Sequence, residues 1–98
     1  MKIKGNEYNL KYTFRAMMLF EQITKKPFSI DSLSDELILF YSVIMASNSE
    51  ANLSFDDFIN DIDEDPSLLK DFTDFLNNEA EKRNTYTEST KEDSKKKF

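Results

Sequence analysis

Leu37-Ile38-Leu39-Phe40-Tyr41-Ser42-Val43-Ile44-Met45-Ala46 decides the fold of this 98-residue chain. Nine of its ten residues are apolar or aromatic, and none is charged. A helix that is apolar around most of its circumference has no face to offer water, so other elements must wrap it. Asp31 and Ser32 just upstream offer caps, and Ser32 with Asp35 three residues on resembles a capping box. A central helix over 32–47 follows. Leu33, Leu37, Phe40, Tyr41 and Ile44 form its main stripe, with Ile38, Val43 and Met45 on the flanks.

Working outward toward the C-terminus, Ser47-Asn48-Ser49-Glu50-Ala51-Asn52 reads as a polar loop. Ser54 then caps a short helix over 54–62 in which Phe55, Phe58, Ile59 and Ile62 recur at helical spacing. Asp65-Pro66, an N-cap followed by proline at the first helical position, starts a last helix over 66–82. Its apolar face is Leu68, Leu69, Phe72, Phe75 and Leu76. Residues 83–98 are almost devoid of apolar side chains and are expected to form a disordered polar tail.

Toward the N-terminus, Phe28-Ser29-Ile30 is a connector, and Pro27 ends a first helix over 13–24. Thr13 can cap it, and Phe14, Ala16, Met17, Met18, Leu19, Phe20 and Ile23 give it a wide apolar face. The methionines are expected to fill core gaps, a binding groove being the less favoured alternative. Residues 1–12 alternate around Gly5-Asn6, a hairpin signal. Pairing Lys4 with Glu7 puts Ile3 opposite Tyr8, Lys2 opposite Asn9 and Met1 opposite Leu10. Met1, Ile3, Tyr8, Leu10 and Tyr12 then share one face. The fold class is α+β, mostly helical: a two-stranded hairpin packed on about four helices, in one domain spanning 1–82.

Composition excludes much chemistry. With no cysteine there is no disulfide or thiolate site, and with no histidine the commonest general base and transition-metal ligand are gone. Asp61-Ile62-Asp63-Glu64-Asp65 resembles the opening of a calcium loop, but Pro66 and Phe72 stand where glycine and a bidentate glutamate are needed. A single glycine rules out a phosphate-cradling loop. Neither an enzyme nor a cofactor is expected. No apolar run reaches membrane-spanning length or follows the N-terminus as a signal peptide would, so a cytoplasmic protein is the expectation.

The net charge of -6 is unevenly spread. Residues 1–26 carry six bases and two acids, and residues 27–80 carry Lys70 against thirteen acids. Residues 81–98 carry six bases and four acids. An acidic surface of this kind solvates the domain or docks a basic protein, and it argues against nucleic acid.

The opening Met1-Lys2-Ile3-Lys4-Gly5-Asn6-Glu7-Tyr8-Asn9-Leu10-Lys11-Tyr12, the helix Phe14-Arg15-Ala16-Met17-Met18-Leu19-Phe20-Glu21, and the later Phe55-Asp56-Asp57-Phe58-Ile59 and Asp65-Pro66 together resemble the small tail assembly chaperones of long-tailed bacteriophages and prophages. The resemblance covers residues 1–80 in pattern and rests on no chemical signature. It implies a non-enzymatic helper in the bacterial cytoplasm that binds the tape measure protein, shields its apolar helices and helps recruit tail tube subunits. It also implies, in many members, a longer frameshifted form; here the site would fall at Lys95-Lys96-Lys97. The rival reading is a stand-alone acidic adaptor for a basic protein. Self-association is left open by both. A partner groove is expected where hairpin and first helix meet the central helix, at Tyr8, Tyr12, Arg15 and Tyr41.

Overall fold

Ser32 caps the central helix as its spacing requires: its hydroxyl accepts the Asp35 backbone N–H at 3.2 Å, and α2 runs Leu33–Ser47. In the computed structural model, which describes the backbone of residues 1–97 and the side chains of residues 1–82, this helix is the hub. None of Leu37–Ala46 is exposed, and Leu39, Phe40, Ser42, Val43 and Ile44 are buried outright. The buried Ser42 hydroxyl is satisfied within the helix, donating to the Ile38 carbonyl at 2.7 Å. A polar group inside a core is tolerated on those terms.

The wrapping elements are β1 (Lys2–Ile3), β2 (Asn6–Glu7), α1 (Phe14–Thr24), α3 (Phe55–Glu64) and α4 (Ser67–Lys97). The fold is therefore mostly helical with an N-terminal antiparallel hairpin. Side chains capped each described start as read: Thr13 accepts from Ala16 N, and Ser54 from Asp57 N. Asp65 takes the Ser67 N–H and hydroxyl, placing Pro66 in the turn just before α4. Each such cap is worth about 1 kcal/mol to a short helix. The side chains of the expected disordered tail, residues 83–98 with the lysine run at its end, lie outside those described.

Phe40 joins the helical layers. Its ring stacks on Phe72 of α4 at 4.3 Å, nearly parallel, and meets Phe58 of α3 edge to face at 4.9 Å. All three rings are fully buried. Phe20 of α1, also buried, meets Phe28 from the connector edge to face at 5.2 Å. The core is thus α2 with one phenylalanine from each neighbouring helix, joined by Ile3, Ala16, Ile62 and Leu68.

The hairpin differs from its expected register. Lys2 pairs with Glu7 and Ile3 with Asn6, two residues off the Lys4–Glu7 alignment. The loop is Lys4-Gly5, both at positive φ (52° and 80°), as a primed two-residue turn demands. Glycine occupies the second loop position, and Asn6 belongs to β2 rather than to the turn. Because side chains alternate with period two, a slip of two leaves the faces unchanged. Ile3 is buried and Met1, Tyr8, Leu10 and Tyr12 are half-buried, while Lys2, Lys4, Glu7, Asn9 and Lys11 are exposed. Lys4 does not face Glu7; it turns to α3, pairing with Glu64 and lying 3.8 Å from Asp61.

Five apolar residues assigned to packed faces are exposed, Ile23 (40%) and Phe55 (36%) among them. Phe14 is 75%, Met18 58% and Leu33 61% exposed. Only one arc of α1, centred on the buried Ala16 and Phe20, can meet the core, and at about 100° per residue Phe14 and Met18 lie on the opposite side. Leu33 is the first residue of α2, one turn before the buried run begins.

Candidate functional site

α1 lies alongside α2 in the most extensive helix–helix contact among the described residues. Ala16 and Phe20 fill the seam, and the flank of α1 beside it leaves a groove. Arg15, Met18, Leu19 and Gln22 line one wall, and Met45 and Ala46 of α2 line the other, around a volume of about 610 Å³. The α1 positions fall at i, i+3, i+4 and i+7, so the wall is one continuous ridge of about two turns. Its floor is thioether and aliphatic, and its polar groups are Arg15 and Gln22 at the two ends of the ridge. Phe14, one turn before Met18 on the same face, extends the apolar surface beyond the groove.

Both walls are fixed by the chain around them. Lys25 ends α1 in the left-handed conformation (φ 61°), its N–H bonding the Glu21 carbonyl. The returning connector is pinned twice: Glu21 accepts the Phe28 N–H at 2.7 Å, and Lys26 reaches Asp35 of α2 at 2.7 Å. Asp35 also accepts the Asp31 N–H at 2.9 Å. The Lys26 ammonium hydrogen-bonded to it holds the Asp35 carboxyl below the usual carboxylate range.

The four residues expected at a partner groove do not come together as one site. Arg15 lines the α1–α2 groove. Tyr8 lines a separate, more polar depression of about 380 Å³ with Glu7, Asn9 and residues 47–51. Tyr41 faces α3: its hydroxyl donates to the Leu53 carbonyl at 2.7 Å, and its ring packs against Phe55 at 5.3 Å and Phe58 at 5.6 Å. Burial pushes the Tyr41 phenol up. Tyr12 is half-buried. Leu19, Gln22, Met45 and Ala46 were not singled out for the groove, and Met18 was assigned to the core. The signals for them were the adjacent methionines, for which a groove was the less favoured alternative, and an α1 with more apolar residues than a single buried arc can hold.

The depression at Tyr8 is closed by side chains acting as strand partners. Asn48 Oδ1 accepts the Asn9 N–H at 3.0 Å, and Asn48 Nδ2 donates to the Asn9 carbonyl at 2.9 Å. Ser47 does likewise for Lys11, accepting its N–H at 3.0 Å and donating to its carbonyl at 3.3 Å. These bonds fix the extended segment after β2 to the end of α2.

Asp61 is committed to Lys4 and Asp65 to Ser67. Among the described residues no three carboxylates gather in a way that could hold a metal ion, and no helix is long and apolar enough to cross a membrane. Comparison of the chain with protein-family models, with curated proteins and with solved structures finds no match.

Proposed function

We propose that this protein is a non-enzymatic assembly chaperone of the phage tail type, which binds the tape measure protein and assists tail tube assembly in the bacterial cytoplasm. The observation that carries the reading is the α1–α2 groove with Met18 and Phe14 exposed beside it. Exposed apolar surface contiguous with a groove marks a protein-docking face, and helix-in-groove recognition is the mode such a face supports. The resemblance of residues 1–12, 14–21 and 55–59 to the tail chaperones supplies the partner class.

The test is to look for a tape measure gene immediately downstream and to co-express its product with this chain. The expected result is a tape measure protein that stays soluble and co-elutes with this chain, and that aggregates without it. Equal aggregation with and without the chain overturns the reading. The rival, an acidic adaptor for a basic protein, is favoured by the exposed carboxylates of Asp56, Asp57 and Asp63 on α3. Its mark would be a complex that weakens steeply with salt.

A further inference from the structure

We propose that the α1–α2 groove selects an amphipathic helix of a partner protein whose apolar stripe is bordered by an acidic residue, and that this residue pairs with Arg15. The inference rests on the chaperone reading and names what its docking face discriminates.

The choice of occupant follows from shape and charge. The α1 wall, from Arg15 to Gln22, spans about 10 Å at 1.5 Å per residue, enough for two turns of an incoming helix. Met18, Leu19, Met45 and Ala46 give that helix an adaptable apolar floor, because the thioether side chains conform to differing shapes. The Arg15 guanidinium makes no hydrogen bond or ion pair among the described residues and is exposed at the end of the ridge; Lys2, Lys11 and Lys25 are also without an ion pair, but Arg15 alone of these lines the groove. Burying its guanidinium beneath a helix without a counter-charge would be costly, so a docked helix must bring an acid. Residues 1–26 reinforce this with a net charge of 6 - 2 = +4. A second copy of this chain, whose residues 27–80 hold 13 acids against one base, is the competing occupant, and the dimer arm of the experiment separates it.

The experiment uses the full chain and two labelled synthetic helices of about 20 residues, long enough to hold helical structure in a groove. Both carry leucines at i, i+3, i+4 and i+7. One has a glutamate at the border of the stripe, and the other a lysine there. Fluorescence anisotropy is expected to show the glutamate helix binding about tenfold tighter, R15E reversing that preference, R15K keeping it, and M18K weakening both helices. Arg15 and Met18 are exposed, and circular dichroism verifies that each variant is folded; the R15E reversal reads the proposal independently of M18K. No binding, binding untouched by M18K, or a charge preference unchanged in R15E overturns it. So does a concentration-dependent dimer of the chain that M18K dissolves. A tape measure complex insensitive to M18K and R15E removes the groove proposal and leaves the chaperone reading. Helix binding as described with no tape measure complex does the reverse.

Discussion

The side-chain amide of Asn48 pairs with the backbone of Asn9 in both directions, accepting its N–H at 3.0 Å and donating to its carbonyl at 2.9 Å. The same amide nitrogen donates to the Ile44 carbonyl at 2.8 Å, one of the carbonyls that the end of α2 leaves open. Asn48 therefore caps a helix and extends a sheet with one functional group. N48A is expected to cost about 1–2 kcal/mol in urea unfolding, the scale of lost partly buried hydrogen bonds. N48D is expected to cost more than N48A. It keeps the shape, loses both donors and sets a negative charge at the negative end of the α2 dipole. Faster amide exchange at Asn9 in either variant would locate the effect.

Phe40 between Phe58 and Phe72 is the second site at which one change should dominate. F40A removes a fully buried ring and leaves a cavity that three helices line, at a cost of about 3–5 kcal/mol. Against the roughly 5–15 kcal/mol of a typical domain, that is a large share of total stability. F72L, which keeps most of the volume, is expected to fall well short of it. Urea midpoints of the two variants check the order.

The Lys26–Asp35 contact gives stability an acid limb. The folded-state pKa of Asp35 is lowered, first by the Lys26 hydrogen bond and next by the Asp31 N–H. Its contribution is thus fully present above the unfolded value of about 3.9 and is lost as pH falls through the lower folded value. D35N is expected to melt below the wild type at neutral pH and to converge on it in acid. Thermal midpoints between about pH 2 and 6 test this against parallel curves, which would exclude Asp35 as the source.

Lys4 sets two effects against each other. It occupies a left-handed backbone position, unfavourable for a side chain other than Asn, Asp or Gly, while its ammonium pairs with Glu64 and Asp61. The ion pair is exposed on the Lys4 side, where such pairs contribute little. Relief of the backbone should win, so K4N is expected to leave the urea midpoint unchanged or raise it. The hydrogen bond to Glu64 raises the Lys4 pKa, which keeps this side chain charged through the neutral range.

Helix positions were legible because their signals are local. Thr13, Ser32, Ser54 and Asp65 sit where a cap must sit, and Leu37–Ala46 could only be a wrapped helix. The face of the hairpin was legible and its register was not. Alternation sets the face, whereas register turns on which pair of residues takes positive φ. The groove was harder still. Phe14 and Met18 carry the same composition signal as Ala16 and Phe20, and only the placement of α2 decides which arc of α1 is covered. Ser47 and Asn48 read as loop because their partners, Lys11 and Asn9, lie 36 and 39 residues away.

Lys4 in the hairpin turn is tied to Asp61 and Glu64, and Asn9 just after β2 to Asn48, all far downstream. Lys4 is therefore made well before the residues that anchor it. At about 5–20 residues per second, some 3–12 seconds separate the two events. For that interval Lys4 has neither of its carboxylate partners. The helices can form early from contacts close in sequence, and docking of the first residues should be the closing step of folding.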